Sequence, residues 1–168
     1  MAVTTLKGHV SRALDFYNKA DKYFCIGRKT AWPVETAPPV PVSTDEMQEV
    51  VGYKKVESIF MVKPDDTGSL TYRGIKWKIV DPANAASEGA RWVYISSFIA
   101  YSDLPTDISY RQVGLTTGLV KEAGVPDGKY ALLPAEVKTT GLLEEIDNRT
   151  PVYRDPDQRE QLVLVIEF

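Results

Sequence analysis

Apolar positions near the start of the chain recur with a helical period. Across residues 9–22, HVSRALDFYNKADK, they fall at Val10, Ala13, Leu14, Tyr17 and Ala20, with Arg12, Asp15, Asn18 and Lys19 on the opposite side. That spacing predicts an amphipathic helix, with Ser11 able to cap a slightly later start. Residues 23–26 form a short apolar run closed by Gly27, a strand signal. Further on the period changes to two. Residues 57–63 and 70–80 read as strands joined through Pro64-Asp65-Asp66-Thr67-Gly68. In the second, Ile75, Trp77 and Ile79 alternate with Lys76 and Lys78, so one face is buried and one is wet. Residues 91–101 carry apolar side chains on both faces, Trp92, Tyr94 and Phe98 against Val93, Ile95 and Ile99. A strand of that kind is covered on both sides. Residues 108–115 form another strand. Residues 161–168 repeat the two-faced pattern, Leu162, Leu164, Ile166 and Phe168 against Val163 and Val165, and are expected to be tied into a sheet as an interior element.

Breakers separate these runs. Residues 31–42, AWPVETAPPVPV, hold four prolines. Proline lacks an amide hydrogen and fixes φ, so an extended, polyproline-like arm is expected here, either a surface connector or a segment that lies on a partner. Ser43-Thr44-Asp45-Glu46 has the form of a capping box and predicts a short helix over 44–53 with Met47, Val50 and Val51 inward. Residues 81–90 and 116–141 are rich in small and turn-forming residues, with one short strand expected at 130–133. After a short extended piece at 150–153, Asp155-Pro156-Asp157-Gln158 reads as a type I turn. The sum is an α+β, β-rich chain: a β-sandwich-like core with one or two short helices, forming a single domain over 1–168 with an extended proline-rich arm at 31–42.

Composition narrows the function classes. Hydrophobic residues make up 43% and charged residues 26%, a balance that folds rather than stays disordered. Twenty basic against 23 acidic side chains argue against a nucleic-acid partner, which calls for a basic excess. No run approaches the roughly 18 apolar residues of a membrane span, and the opening MAVTTLKGHV shows no apolar signal region, so no membrane partner and a cytoplasmic origin are expected. One cysteine, Cys25, excludes an internal disulfide and suits a reducing compartment. Charge is uneven: residues 1–30 hold six basic and two acidic side chains, residues 141–168 seven acidic side chains and three arginines. Ends of opposite sign can meet within one fold or across a subunit contact.

Candidate chemistry is sparse. The one histidine, His9, sits near a helix start, so a serine triad, a Cys–His pair or a histidine metal site would all have to share it. Cys25 lies in an apolar run and reads as core packing. Glu144, Glu145 and Asp147 form a carboxylate cluster whose spacing matches no calcium loop. Gly27-Arg28-Lys29-Thr30 lacks the upstream glycine of a phosphate loop. No catalytic residue, cofactor or metal follows. Trp32, placed just before Pro33, is the aromatic best suited to anchor an interface. Arg149, Arg154 and Arg159 suit forked contacts to carboxylates, within the fold or across an interface.

Four stretches, in order, carry a resemblance. They are YFCIGRKTAWP at 23–33 with Pro38-Pro39 after it, YRQVG at 110–114, IDNRTPV at 146–152, and QRE at 158–160 running on to VIEF at 165–168. Together they resemble the baseplate wedge subunits of contractile-tailed bacteriophages, across the first and last thirds of the chain. Residues 65–105 have no counterpart in that comparison. The resemblance implies a structural virion protein of a phage tail baseplate, assembled in the host cytoplasm. Its expected partners are other baseplate and tail proteins, and itself. It implies no catalytic residue. The best-known members are about twice as long, so a version reduced to the core sandwich is expected. Interface candidates are then Arg28, Trp32, Pro33, Pro38, Pro39, Arg149, Arg154 and Arg159. The alternative is a carbohydrate- or receptor-binding β-sandwich module of a phage tail, read from the exposed aromatics.

Overall fold

A computed structural model describes residues 2–42 and 46–168. In chain order the elements are α1 (Leu6–Asn18), β1 (Tyr23–Gly27), β2 (Gly52–Lys55), β3 (Ser58–Pro64), β4 (Leu70–Tyr72), β5 (Ile75–Val80), α2 (Ala85–Glu88), β6 (Trp92–Ile99), β7 (Ser109–Thr117), β8 (Val120–Lys121), β9 (Ala131–Leu132), β10 (Val137–Thr139), β11 (Leu142–Tyr153) and β12 (Glu160–Glu167). The class is α+β and strand-rich, as expected. One five-stranded sheet has the order β12-β6-β3-β5-β4, the other β11-β7-β1-β2-β9, and β8 pairs with β10 alone.

The chain divides into two compact units, one from Met1–Lys19, Glu57–Ser96 and Val163–Phe168, the other from Ala20–Val56 and Ser97–Leu162. In the first, α1 buries Val10 and Ala13, as the periodicity marks, and also Phe16, which it did not mark; Leu14 and Tyr17 are half-buried and Ala20 is exposed beyond the helix end. Thr5 caps the helix by accepting from the Gly8 amide at 3.1 Å, so it starts earlier than 9 and ends at Asn18 rather than 22. Phe16 meets Phe168 at a ring separation of 5.1 Å. Val62, Trp77 and Tyr94 form a small core against which Val163 and Val165 pack. The strand expected over 70–80 is broken by Arg73 and Gly74, both at positive φ (50° and 79°). They make the tight hairpin turn that matches the twist of β4 and β5.

The second unit surrounds Tyr23, Cys25, Tyr53, Leu119 and Leu132. β1 lies between β2 and β7, pairing Cys25 with Tyr53 on one side and with Gly114 on the other. No helix forms over the described part of 44–53. The Gln48 carbonyl accepts from the Arg28 amide at 2.7 Å, and the Val51 amide donates to the Ile26 carbonyl at 2.9 Å. Those backbone groups are committed to the chain leaving β1, and Glu49 sits at φ 43°, which a helix does not permit. The expected cap at Ser43 lies outside the described residues. The short piece expected at 150–153 is the end of β11, twelve residues that also contain Glu144, Glu145 and Asp147. β11 pairs with β7 through two irregularities, at Leu143/Glu145 and Asn148/Val152.

Candidate functional site

The proline segment and the bulged end of β11 form one arrangement. Residues 31–42 do not run straight: the Ala37 amide donates to the Val34 carbonyl at 3.1 Å, closing a turn over residues 34–37. Trp32 is only 7% exposed, and its Nε1 donates to the Arg149 carbonyl at 2.9 Å. That carbonyl lies where β11 leaves β7, between Asn148 and Val152, so it is free to accept from outside the ladder. Arg28, held at φ 54°, lays its guanidinium over the indole at 3.8 Å and hydrogen-bonds Gln48 Oε1.

Glu35 fixes the turn from the other side. Arg111 Nε donates to its two oxygens at 3.0 and 2.8 Å, and Nη2 donates at 2.5 Å. Arg111 Nη1 adds the Lys29 carbonyl at 2.6 Å and Ser109 Oγ at 3.0 Å. The Arg111 guanidinium holds the Glu35 carboxyl below the usual carboxylate range, chiefly through these hydrogen bonds. An amide relay completes the mount. The Gln48 amide donates to Gln112 Oε1 (3.2 Å), Gln112 Nε2 to Asn148 Oδ1 (2.9 Å), and Asn148 Nδ2 to the Pro39 carbonyl (2.9 Å). A groove of about 200 Å³ runs beside it, bounded by Trp32, Pro39, Val40, Val42 and Ile146.

The terminal arginines take different roles. Arg154 has a fully buried side chain, with Nε on Glu160 at 2.6 Å. Its Nη1 reaches the Leu104 and Pro105 carbonyls at 2.5 and 2.8 Å, and its Nη2 the Ala100 carbonyl at 2.7 Å. The other Glu160 oxygen accepts from Tyr110 Oη at 2.8 Å. Burial, then the Glu160 charge, pushes the Tyr110 phenol up. The turn at 155–158 is as the sequence suggests, with the Gln158 amide donating to the Asp155 carbonyl at 3.2 Å. Arg149 is half-buried and its Nε meets Asp147 at 3.0 Å, whereas Arg159 is exposed with its guanidinium over Phe98 at 5.1 Å. Of the interface candidates, then, the fold brings Arg28, Trp32 and Arg149 together with Pro39, leaves Pro33 exposed and Pro38 half-buried on the same arm, and places Arg154 and Arg159 elsewhere. Sequence reading missed Glu35, Arg111 and Gln112, and no local pattern marks them.

Two of the other chemical candidates, Cys25 and Glu144, are committed to structure. Cys25 is buried, and burial pushes its thiol up to about 12, so it stays protonated at neutral pH. Glu144 accepts from Thr117 Oγ1 at 2.5 Å. Among the described residues no group of histidine, cysteine and carboxylate side chains is placed to hold a metal, and no helix is long and apolar enough to cross a membrane.

A family model described as "Baseplate wedge 3 tail fiber network component" matches residues 1–168. This chain belongs to that family. The match includes residues 65–105, the part without a counterpart in the sequence resemblance. The chain is also similar to "Virion protein 3" of Enterococcus phage phiEF24C, 34% identical over 177 positions that cover 99% of this chain and 96% of the relative. As a baseplate wedge 3 tail fiber network component, the chain is a structural protein of the phage tail baseplate, located in the virion and in contact with other tail proteins. The arrangement around Trp32 fixes a surface segment beside β11, at the edge of its sheet.

Proposed function

We propose that the wedge protein acts without catalysis, as a scaffold that enters the baseplate in one piece and binds its neighbours through the proline arm and the charged carboxy-terminal segment around the 155–158 turn. The observation that carries this reading is the mounting of the arm. Two buried or half-buried arginines, an indole and three amides hold a segment that contributes no ladder hydrogen bonds of its own. Rigid presentation of a surface segment lowers the entropy lost on docking. Pro33, Pro38, Pro39 and the exposed Arg159 would meet the neighbours, while Arg28, Trp32, Arg149 and Arg154 shape the surfaces from beneath. Entry as one piece is supported by the chain path, which passes between the two compact units at 19/20, 56/57, 96/97 and 162/163.

The test is a phage whose own gene is interrupted, supplied in trans with a tagged chain. Tails should contain the tagged chain in a fixed ratio to other baseplate proteins, and tails made without it should lack a complete baseplate. Complete, infectious baseplates without the chain would overturn the reading.

A further inference from the structure

The arm has two parts of different character. Up to Pro39 it is held inside the chain by Trp32, Glu35 and the Asn148 bond to the Pro39 carbonyl. Beyond that last tie Val40 is 84% exposed and Val42 76%, with exposed Pro41 between them. A well-anchored base thus carries an apolar tip with its side chains in water. We propose that Pro39-Val40-Pro41-Val42 is a preorganised recognition segment that inserts into an aromatic-lined, hydrogen-bond-donating groove on a neighbouring tail protein. The inference rests on the scaffold reading above and names the chemistry of one of its contacts.

Backbone chemistry selects the groove. Pro39 and Pro41 have no N–H, so the segment cannot add to a sheet edge with a full ladder. Pro38 and Val40 each precede a proline and are steered to extended backbone. The peptide bonds of the described residues are all trans. These constraints favour polyproline-type extended backbone, which has no internal hydrogen bonds and turns its carbonyls outward for donors. Grooves lined by aromatic rings recognise that shape, and tryptophan and tyrosine bring a donor with the ring. A helix-binding groove is excluded because the segment cannot offer helical spacing. The groove beside the arm is a poor host for a second copy's segment: it is lined by Gln48, Gln112 and Asn148, and its one aromatic among the described lining residues, Trp32, is 7% exposed.

The experiment uses the interrupted phage with tagged chains supplied in trans. A Val40→Asp/Val42→Asp chain should keep the wild-type circular dichroism and urea midpoint, since neither side chain is buried. Its incorporation into tails should fall on the order of a hundredfold, the loss of two buried valines. Excess synthetic peptide spanning residues 38–42 should depress wild-type incorporation. In a chain with Val42→p-benzoylphenylalanine, irradiation of assembled tails should join position 42 to a tail protein beside a tryptophan or tyrosine. Wild-type incorporation of the double variant would overturn the inference, as would a crosslink to another copy of this chain or to a site without aromatics. Should the double variant misfold, the crosslink decides. If the wild-type chain itself is absent from tails, the scaffold reading has failed; if it enters and the double variant enters equally well, only the recognition segment has failed.

Discussion

Trp32 and Arg149 stand 117 residues apart in the chain, yet the indole Nε1 donates to the Arg149 carbonyl at 2.9 Å. This bond joins the proline arm to the bulged end of β11. Trp32→Phe removes the donor but keeps most of the ring, and leaves a carbonyl without its partner. The expected loss is about 1–3 kcal/mol of unfolding free energy. Trp32→Ala adds a cavity and should cost about 3–5 kcal/mol. Urea titration followed by circular dichroism measures both; two equal losses would show that the hydrogen bond and the ring are not separable as described.

Arg154 is a fully buried cation in the second unit, with one carboxylate and three carbonyls on its guanidinium. Arg154→Met leaves Glu160 buried without its cation and should cost about 3–5 kcal/mol. Tyr110→Phe removes only the hydroxyl that donates to the other Glu160 oxygen, and about 1 kcal/mol is expected. Thermal melts of the two variants should differ clearly, and a mild Arg154→Met would contradict the buried cage.

The Glu35–Arg111 fork predicts an acid response. Hydrogen bonds from Arg111 depress the folded pKa of Glu35. The unfolded chain therefore binds that proton more readily. The contribution to stability is complete above the ordinary glutamate pKa of about 4.3 and is lost as pH falls below it through the depressed folded value. Glu49 shifts the same way, first through the Thr30 amide at 2.8 Å. Stability measured from about pH 6 down to about pH 3 should fall, and Glu35→Gln should flatten that fall. An unchanged profile in the variant would remove Glu35 from the account.

Cys25 should be silent toward thiol reagents in the native protein. It is 1% exposed and its thiol is raised to about 12. A chromogenic disulfide reagent should react only as fast as the second unit opens, with stoichiometric labelling in urea. Rapid labelling of the folded chain would mean that β1 is not buried between β2 and β7.

The predictions differ in how far the sequence alone could have reached them. The burial of Cys25 was legible, because residues 23–26 form an unbroken apolar run. The 155–158 turn was legible too, because Asp and Pro at its first two positions have local conformational preferences. Strands β6 and β12 showed as two-faced apolar runs, although β12 lies at the edge of its sheet and not in the interior. β5 showed as alternation, yet of its expected buried face only Trp77 is buried while Ile75 and Ile79 stay exposed, and the helical spacing of α1 marked Val10 and Ala13 but missed Phe16. The helix over 44–53 was a false reading: local propensity favoured it, but Arg28 and Ile26 claimed the backbone at Gln48 and Val51. The arm was recognised as non-regular, yet its turn depends on Glu35 finding Arg111, 76 residues away.

Period, capping residues, prolines and composition are properties of neighbours in the chain. They determined that this protein is strand-rich and that residues 31–42 would carry no ladder. Which arginine is caged, which carbonyl receives the indole and which valines remain in water depend on side chains brought together from distant positions. Those outcomes follow from desolvation and hydrogen-bond satisfaction, which exist only once the chain has folded, and so the tertiary structure alone decided them.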